Sequence, residues 1–180
     1  QILGDNCRKY RLPLLYVNQV GAQTEIIFDG GSLVFDEDGS LLDEFPYFSE
    51  SIKIYSFENG KIIGHKPIVH DPQNDIQQIH DALILGIRDY FKKSGFSKAI
   101  LGLSGGIDSA LVCALAAEAL GPDNVMAVLM PSEYSSDHSI QDALDLVNNL
   151  GCKHEIIPIK EAAAAFGNMM KPAFKNLPFN

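Results

Sequence analysis

The stretch Ser104-Gly-Gly-Ile-Asp-Ser109 gathers glycines, hydroxyls and a carboxylate into one short turn. Gly105 and Gly106 let the main chain bend sharply and keep Cβ atoms out of the way. An apolar run, Lys98-Ala-Ile-Leu-Gly-Leu103, precedes the turn, and an Ala/Leu-rich run, Ala110 to Leu120, comes after it. That order predicts a strand, a tight turn and a helix. The first amides of such a helix lack intrahelical partners and lie at the positive end of its dipole, a natural seat for phosphate. Ser104, Asp108 and Ser109 stand beside those amides. The plainer reading is an ordinary strand-to-helix turn with Ser104 as its cap.

Two common phosphate motifs are absent. A Walker A loop needs Lys then Ser or Thr after its last glycine, whereas Gly106 is followed by Ile107 and Asp108. The G-x-G-x-x-G spacing of dinucleotide folds is missing too. What stands instead resembles the S-G-G-x-D-S loop of the ATP pyrophosphatases, which split ATP into AMP and pyrophosphate. The resemblance implies that Ser104, Gly105, Gly106 and Ser109 donate to phosphate and that Asp108 helps hold Mg²⁺. Gly102, Leu103 and Ile107 complete the implied ATP-binding stretch.

The elements that must position this turn are read from periodicity. Ile76, Ile79, Leu83, Ile87, Tyr90 and Phe91 recur at three- and four-residue steps, an amphipathic helix expected to pack on a sheet. Asp75 is its expected cap and Ser94-Gly95 its stop. After the glycine turn, a helix runs to Leu120 and stops at Gly121-Pro122. Asn124 to Met130 then reads as a buried strand ended by Pro131. Ser136 or Asp137 can cap the next helix, which carries Ile140, Ala143, Leu144, Val147 and Leu150 and closes at Gly151. His154 to Ile159 is a third strand, and Glu161 to Met170 a third helix interrupted by Gly167. This β-α-β-α-β-α alternation predicts a parallel sheet with right-handed crossovers. Ligands of such sheets bind at the carboxyl ends of the strands, where both the glycine turn and residues 130–137 fall.

Residues 1–57 are β-rich. Gln1 to Arg11 has helical spacing, with Ile2, Leu3 and Tyr10 as candidate inward residues. Extended runs come next at Leu14–Val17, Glu25–Phe28, Ser32–Phe35, Leu41–Leu42 and Ile52–Phe57, separated by Gly/Asp turns at Gly21, Asp29-Gly-Gly31 and Asp36-Glu-Asp-Gly39. Residues 58–75 hold a Glu58-Asn-Gly60 turn, Pro67, Pro72 and a polar run, which together mark a linker. His65, His70 and His80 have no Cys or carboxylate set at ligand spacing and are expected to be solvated rather than metal-bound.

This first piece carries a second resemblance. Leu14-Leu-Tyr-Val-Asn-Gln-Val-Gly21 followed by Phe28-Asp-Gly-Gly-Ser32 is similar to the last third of nitrilase-type amidase domains. More narrowly, it looks like the glutaminase domain fused to bacterial NAD synthetases, as does Ile84-Leu-Gly-Ile-Arg-Asp-Tyr90 in the later piece. That family uses a Glu, a Lys and a Cys nucleophile, which the resemblance places upstream of the matched residues. Cys7 is followed by Arg8 in a helical stretch, lacks the family's Cys-Glu context, and is expected to be packed. Asn18 and Asp29 either support a site from behind or form turns.

Composition sets the outer bounds. The chain has 180 residues, a formal charge of −9 and no Lys/Arg cluster, which argues against a nucleic-acid partner. No apolar run approaches the roughly 20 residues needed to cross a bilayer, so no membrane partner is expected. The opening Gln1-Ile-Leu-Gly-Asp-Asn is no signal peptide. Cys7, Cys113 and Cys152 are odd in number and scattered, which suits a reducing cytoplasm, and Cys113 among alanines reads as core.

The expected fold class is α/β. The resemblances imply that 1–57 is the C-terminal part of a nitrilase-like α/β/β/α glutaminase domain and 58–75 a linker. They imply that 76–180 is the first half of a parallel-sheet, adenine-nucleotide α-hydrolase-like synthetase domain. The implied reaction is ATP-dependent amidation of deamido-NAD, through an adenylate, with glutamine or ammonia as nitrogen source. Val128, Leu129 and Met130 would border adenine and ribose. A homo-oligomer is also expected, as is a chain that begins late, stops in mid-domain at Lys171–Asn180, and is inactive alone. Other carboxylate-activating ATP pyrophosphatases, such as GMP or asparagine synthetase, share the glycine loop but not the nitrilase-like tail. A non-catalytic adenine-nucleotide sensor is the reading from another class.

Overall fold

The computed structural model describes residues 1–70, 74–133 and 135–173. The polar run at 71–73, Tyr134 of the 130–137 segment and the expected stop at 174–180 lie outside the described residues. The chain divides into two compact units, Gln1–Lys93 and Ser94–Asn180.

The first unit opens with helix α1 (Ile2–Tyr10). Its inward residues are Gly4 and Cys7, whereas Ile2 and Tyr10, expected inside, are exposed. Gly4 lies against the Gly39 carbonyl, so the helix approaches the Asp36–Gly39 turn through its smallest residue rather than its apolar ones. Strands β1 (Leu14–Tyr16), β2 (Val20–Gln23), β3 (Ile26–Asp29), β4 (Leu33–Phe35) and β5 (Leu41–Glu44) come next. They form an antiparallel sheet in the order β1-β4-β5 and a separate β2-β3 hairpin. Gly21, expected in a turn, lies inside β2, and the hairpin turn falls at Thr24 instead, which adopts a positive φ. Val34 and Leu42 anchor the core of this unit together with Ile62.

Ile62 belongs to a hairpin hidden in the expected linker, β6 (Ser56–Glu58) paired with β7 (Lys61–Ile63). Asn59 and Gly60 both take positive φ at its tip, the geometry a two-residue hairpin turn demands. Only the end of the extended run 52–57 pairs, while Ile52 and Ile54 are exposed. Helix α2 (Asp75–Ser94) closes the unit. Its cap is Asn74, whose Oδ1 accepts from the Ile76 amide, and not Asp75. Gly95, in the left-handed region, stands just past its end. The stripe expected to be core is largely exposed at Ile76, Ile79, Leu83 and Tyr90, and Ile84 is the buried residue.

The second unit has the expected alternation. Strand β8 (Ala99–Gly102), helix α3 (Ile107–Leu120), a 3-10 turn at Pro122–Asn124, strand β9 (Val125–Leu129), helix α4 (Asp137–Leu150), strand β10 (Lys153–Ile156) and helix α5 (Lys160–Met170) succeed one another in order. The sheet is parallel, in the order β10-β9-β8, so β9 is central. Along β9 the side chains alternate, with Val125, Ala127 and Leu129 fully inside and Met126 and Val128 half-buried. The inward face meets Cys113, Ala116 and Ala117 of α3 and Ala143 and Val147 of α4. Small residues on α3 let the helix lie close to the sheet, and burying a side chain such as Leu129 stabilises by about 1.5–3 kcal/mol. Gly151 ends α4 in the left-handed conformation, and Cys152 donates back to the Val147 carbonyl. Gly167 does not interrupt α5, because its carbonyl accepts from the Lys171 amide and a helical glycine costs only about 1 kcal/mol.

Candidate functional site

β8, the glycine turn and α3 build the site. Leu103 extends the β8 ladder by one bond, its amide donating to the Val128 carbonyl at 2.9 Å, and its side chain is buried. Beyond that anchor the chain turns. Gly105 takes φ +80, and a Cβ there would stand 2.1 Å from the Ser139 carbonyl oxygen at the start of α4. Both the dihedral and the contact therefore require glycine. Gly106 is the N-cap of α3, and no side chain caps that helix. Ser104 is not the cap. Its Oγ accepts from the Gly106 amide at 3.3 Å and lies 3.0 Å from Ser109 Oγ. Ser109 Oγ in turn donates to the Gly106 carbonyl and accepts from the Ser104 amide. This ring of weak bonds holds the turn open toward solvent while leaving the first-turn amides of α3 without a side-chain acceptor among the described residues. Ile107 and Asp108 are exposed on that first turn, and Asp108 makes no ion pair among the described residues.

A cavity of about 310 Å³ opens beside the turn at the carboxyl ends of β8 and β9. Gly102, Leu103 and Ser104 form one wall and Leu129, Met130 and Pro131 another. Of the residues expected around adenine, Leu129 and Met130 line it, whereas Val128 contributes only through the carbonyl that holds Leu103. Gly105, Gly106, Ile107, Asp108 and Ser109 lie on the adjoining turn rather than in the lining. The carbonyls of Leu129 and Pro131 accept from the amides of Ile157 and Ile159, which tie the chain after β10 to the same edge.

Ser135, within the 130–137 segment expected at this edge, also lines the cavity, whereas Ser139, Ile140, Ala143 and Ile159 were not read from the sequence as lining residues. The signal for Ile159 was present, since the end of the third strand must reach the same edge as the first two. Ser136 is the cap of α4, its Oγ accepting from the Ser139 amide at 3.1 Å. That cap aims the start of α4 at Gly105.

A larger cavity, about 490 Å³, lies in the first unit between the β1 end and residues 45–55. Asn18 and Ser32, two of its polar residues, hold turns. Asn18 Nδ2 donates to Asp29 Oδ1 at 2.8 Å and to the Gly30 carbonyl at 2.9 Å, and the Asn18 amide donates to Ser32 Oγ. Lys53, on its rim, is paired with Asp43. Size alone therefore does not make it the better candidate. Asn18 and Asp29 brace the turn that Gly30 and Gly31 make.

The three thiols are packed. Burial, with help from Asp36, raises the Cys7 thiol above its ordinary value, which disfavours the thiolate a nucleophile needs. Burial pushes Cys113 up to about 11. The histidines scatter: His65 stacks on Tyr55, His70 Nδ1 meets Glu44, and His80 Nδ1 meets Asp81. Among the described residues, no helix is long and apolar enough to cross a membrane.

The chain is similar to known proteins along its length. Residues 79–178 match the family model described as NAD synthase. A glutamine-dependent NAD(+) synthetase from Synechocystis sp. is 46% identical over 99% of this chain, and one from Rhodobacter capsulatus is 44% identical over 92%. The chain spans only 32% and 30% of those two relatives, about a third of their length. Among solved structures, a glutamine-dependent NAD+ synthetase from Acinetobacter baumannii in complex with adenosine diphosphate superposes with a TM-score of 0.91. It is 36% identical, and the match covers all of this chain and 34% of that one. With more than half of its residues inside the family model and its α/β fold reproduced in that structure, the chain belongs to the NAD synthase family.

Proposed function

We propose that this chain is a segment of a glutamine-dependent NAD synthetase and that its glycine turn seats the phosphates of ATP. The observation that carries the reading is the uncapped first turn of α3, held open beside a cavity at the carboxyl edge of a parallel sheet. The relative solved in complex with adenosine diphosphate supports an adenine nucleotide as a ligand. In the reaction, an oxygen of the nicotinate carboxylate of deamido-NAD attacks the α-phosphorus of ATP. The bond from that phosphorus to the bridging oxygen breaks, and pyrophosphate leaves. Ammonia then attacks the acyl carbon, AMP departs with the bonding pair, and the nitrogen loses a proton to give the amide.

Each residue has a physical task. The amides of Gly106 and the first turn of α3 donate to phosphate oxygens as charge builds on the leaving pyrophosphate. Ser104 and Ser109, which satisfy each other in this structure, exchange that bond for phosphate oxygens. Leu129 and Met130 supply an apolar wall for the base. Asp108 is an exposed carboxylate beside this phosphate seat with no ion pair among the described residues, and one carboxylate plus substrate phosphates is the donor set Mg²⁺ favours. When bound, Mg²⁺ neutralises charge on the pyrophosphate. The further partners are deamido-NAD and glutamine or ammonia, and the setting is the cytoplasm.

The test uses the full reading frame that contains this segment. AMP and pyrophosphate release from Mg·ATP should require deamido-NAD and either glutamine or ammonium. Release with a different carboxylate would retain the loop chemistry and discard the NAD assignment. Tight ATP binding without release under any acceptor would replace the enzyme with a sensor.

A further inference from the structure

Helix α2 begins the family-matched segment, yet the surface it packs lies upstream of that segment, on the β2–β3 hairpin. Polar side chains carry the hydrogen bonds of this contact. Asp89 Oδ2 accepts from the Ala22 amide at 2.7 Å, and Lys93 Nζ donates to the Ala22 carbonyl while pairing with Asp89 at 3.0 Å. Ala22 faces away from β3, so one helical turn of side chains supplies both bonds that a further strand would supply at this edge. Two glycines allow the approach. A Cβ on Gly86 would stand 3.2 Å from Ile27 Cδ1, and a Cβ on Gly21 would stand 3.1 Å from Asp89 Oδ2. Gly21 also holds φ +138 there, a conformation side chains resist. Ala22 is buried by the result.

We propose that Asp89 and Lys93 are a docking pair, anchoring the first helix of the synthetase segment to the upstream β2–β3 hairpin and positioning that segment to receive nitrogen released upstream. The second half of this statement rests on the proposed function; the anchoring half does not. Two charged side chains meet the main chain of Ala22, while Gly86 closes on Ile27 and Gly21 on Asp89. Ile84 is the helix's buried apolar residue, while Ile79 and Leu83 stay exposed. Asp89 and Lys93 are positioning residues, outside the phosphate turn.

The experiment compares the full-length protein with the double variant Asp89→Ala, Lys93→Ala and with Lys93→Arg. Hydrogen exchange at the Ala22 amide reports the anchor, and NAD formation from glutamine and from ammonium reports its use. The double variant should speed exchange at Ala22 by about tenfold or more. It should lower glutamine-driven synthesis about tenfold while ammonium-driven synthesis stays within about twofold. Lys93→Arg, which keeps the charge and the donors, should restore both. Unchanged exchange at Ala22 overturns the anchor, and glutamine- and ammonium-driven rates falling in step overturn its role in nitrogen transfer. If the parent protein forms no NAD from either source, the proposed function fails, and exchange at Ala22 still decides the anchor.

Discussion

Two turns in this chain are built from the same residue types and do opposite things. Gly30-Gly31-Ser32 closes on itself. Ser32 is buried, its Oγ accepts from the Asn18 amide, and the Gly30 and Gly31 amides donate to the Gln19 and Pro46 carbonyls. Ser104-Gly105-Gly106 stays open, its serine exposed and its glycine amide held by a single long bond to a hydroxyl. The difference lies in the element that each glycine pair leads into. After the first comes a strand, whose ladder consumes the main-chain groups. After the second comes a helix, whose first-turn donors have no intrahelical acceptor. A glycine pair is thus a means of bending, and the next element decides whether the bend binds anything.

The largest expected effect comes from closing the open turn. Gly105→Val would drive its side chain into the Ser139 carbonyl at a positive φ, and ATP-dependent AMP release should fall by about 100-fold or more. Asp108→Ala should likewise abolish Mg·ATP turnover, with circular dichroism and melting temperature unchanged. Normal turnover in that variant would remove Asp108 from the site.

The closed turn should respond in stability instead. Gly31→Ala places a Cβ 2.4 Å from the Tyr47 ring, which is itself fixed by donation from its hydroxyl to Glu44. A loss of about 2–3 kcal/mol in denaturant unfolding is expected, with ammonium-driven AMP release retained below the transition. If Gly31→Ala instead abolished turnover in a folded protein, the contrast between the turns would be wrong. Ser136→Ala, which removes the α4 cap, should cost about 1 kcal/mol and raise the KM for ATP through the neighbouring cavity wall.

The smallest effect is a pH dependence. The Ala22 amide, and then Lys93, hold the Asp89 carboxyl below its ordinary value. A depressed carboxyl contributes stability above the unfolded value, near about 4, and loses it as pH falls through the folded value. The melting-temperature gap between parent and Asp89→Asn should therefore be full at neutral pH and vanish in strong acid. A gap that persisted at about pH 2 would locate its origin in packing rather than charge.

The second unit was legible because each of its signals is local. Gly105-Gly106, Gly121-Pro122 and Gly151 punctuate runs whose periods name the elements, and the edge rule then places the site. The first unit was less so. Lys61–Ile63 is too short to show a period, and only the Asn59-Gly60 turn betrays its hairpin. In α1 and α2 the apolar positions misled, since Gly4 and Gly86 make the approaches to neighbouring chain while Ile2, Ile76 and Ile79 stay outside. Hydrophobic periodicity detects faces that pack through side-chain volume. It cannot detect a face that packs by having none.

The contact between Gly105 and Ser139 has one more consequence. It joins the phosphate turn to the wall of the neighbouring cavity through main chain on both sides, with no rotamer between them. The span from the first turn of α3 to the Met130 end of β9 is therefore gauged by backbone, as on a rule with fixed marks. On the proposed function, a nucleotide laid along it would be selected by its length before any side chain reads its chemistry.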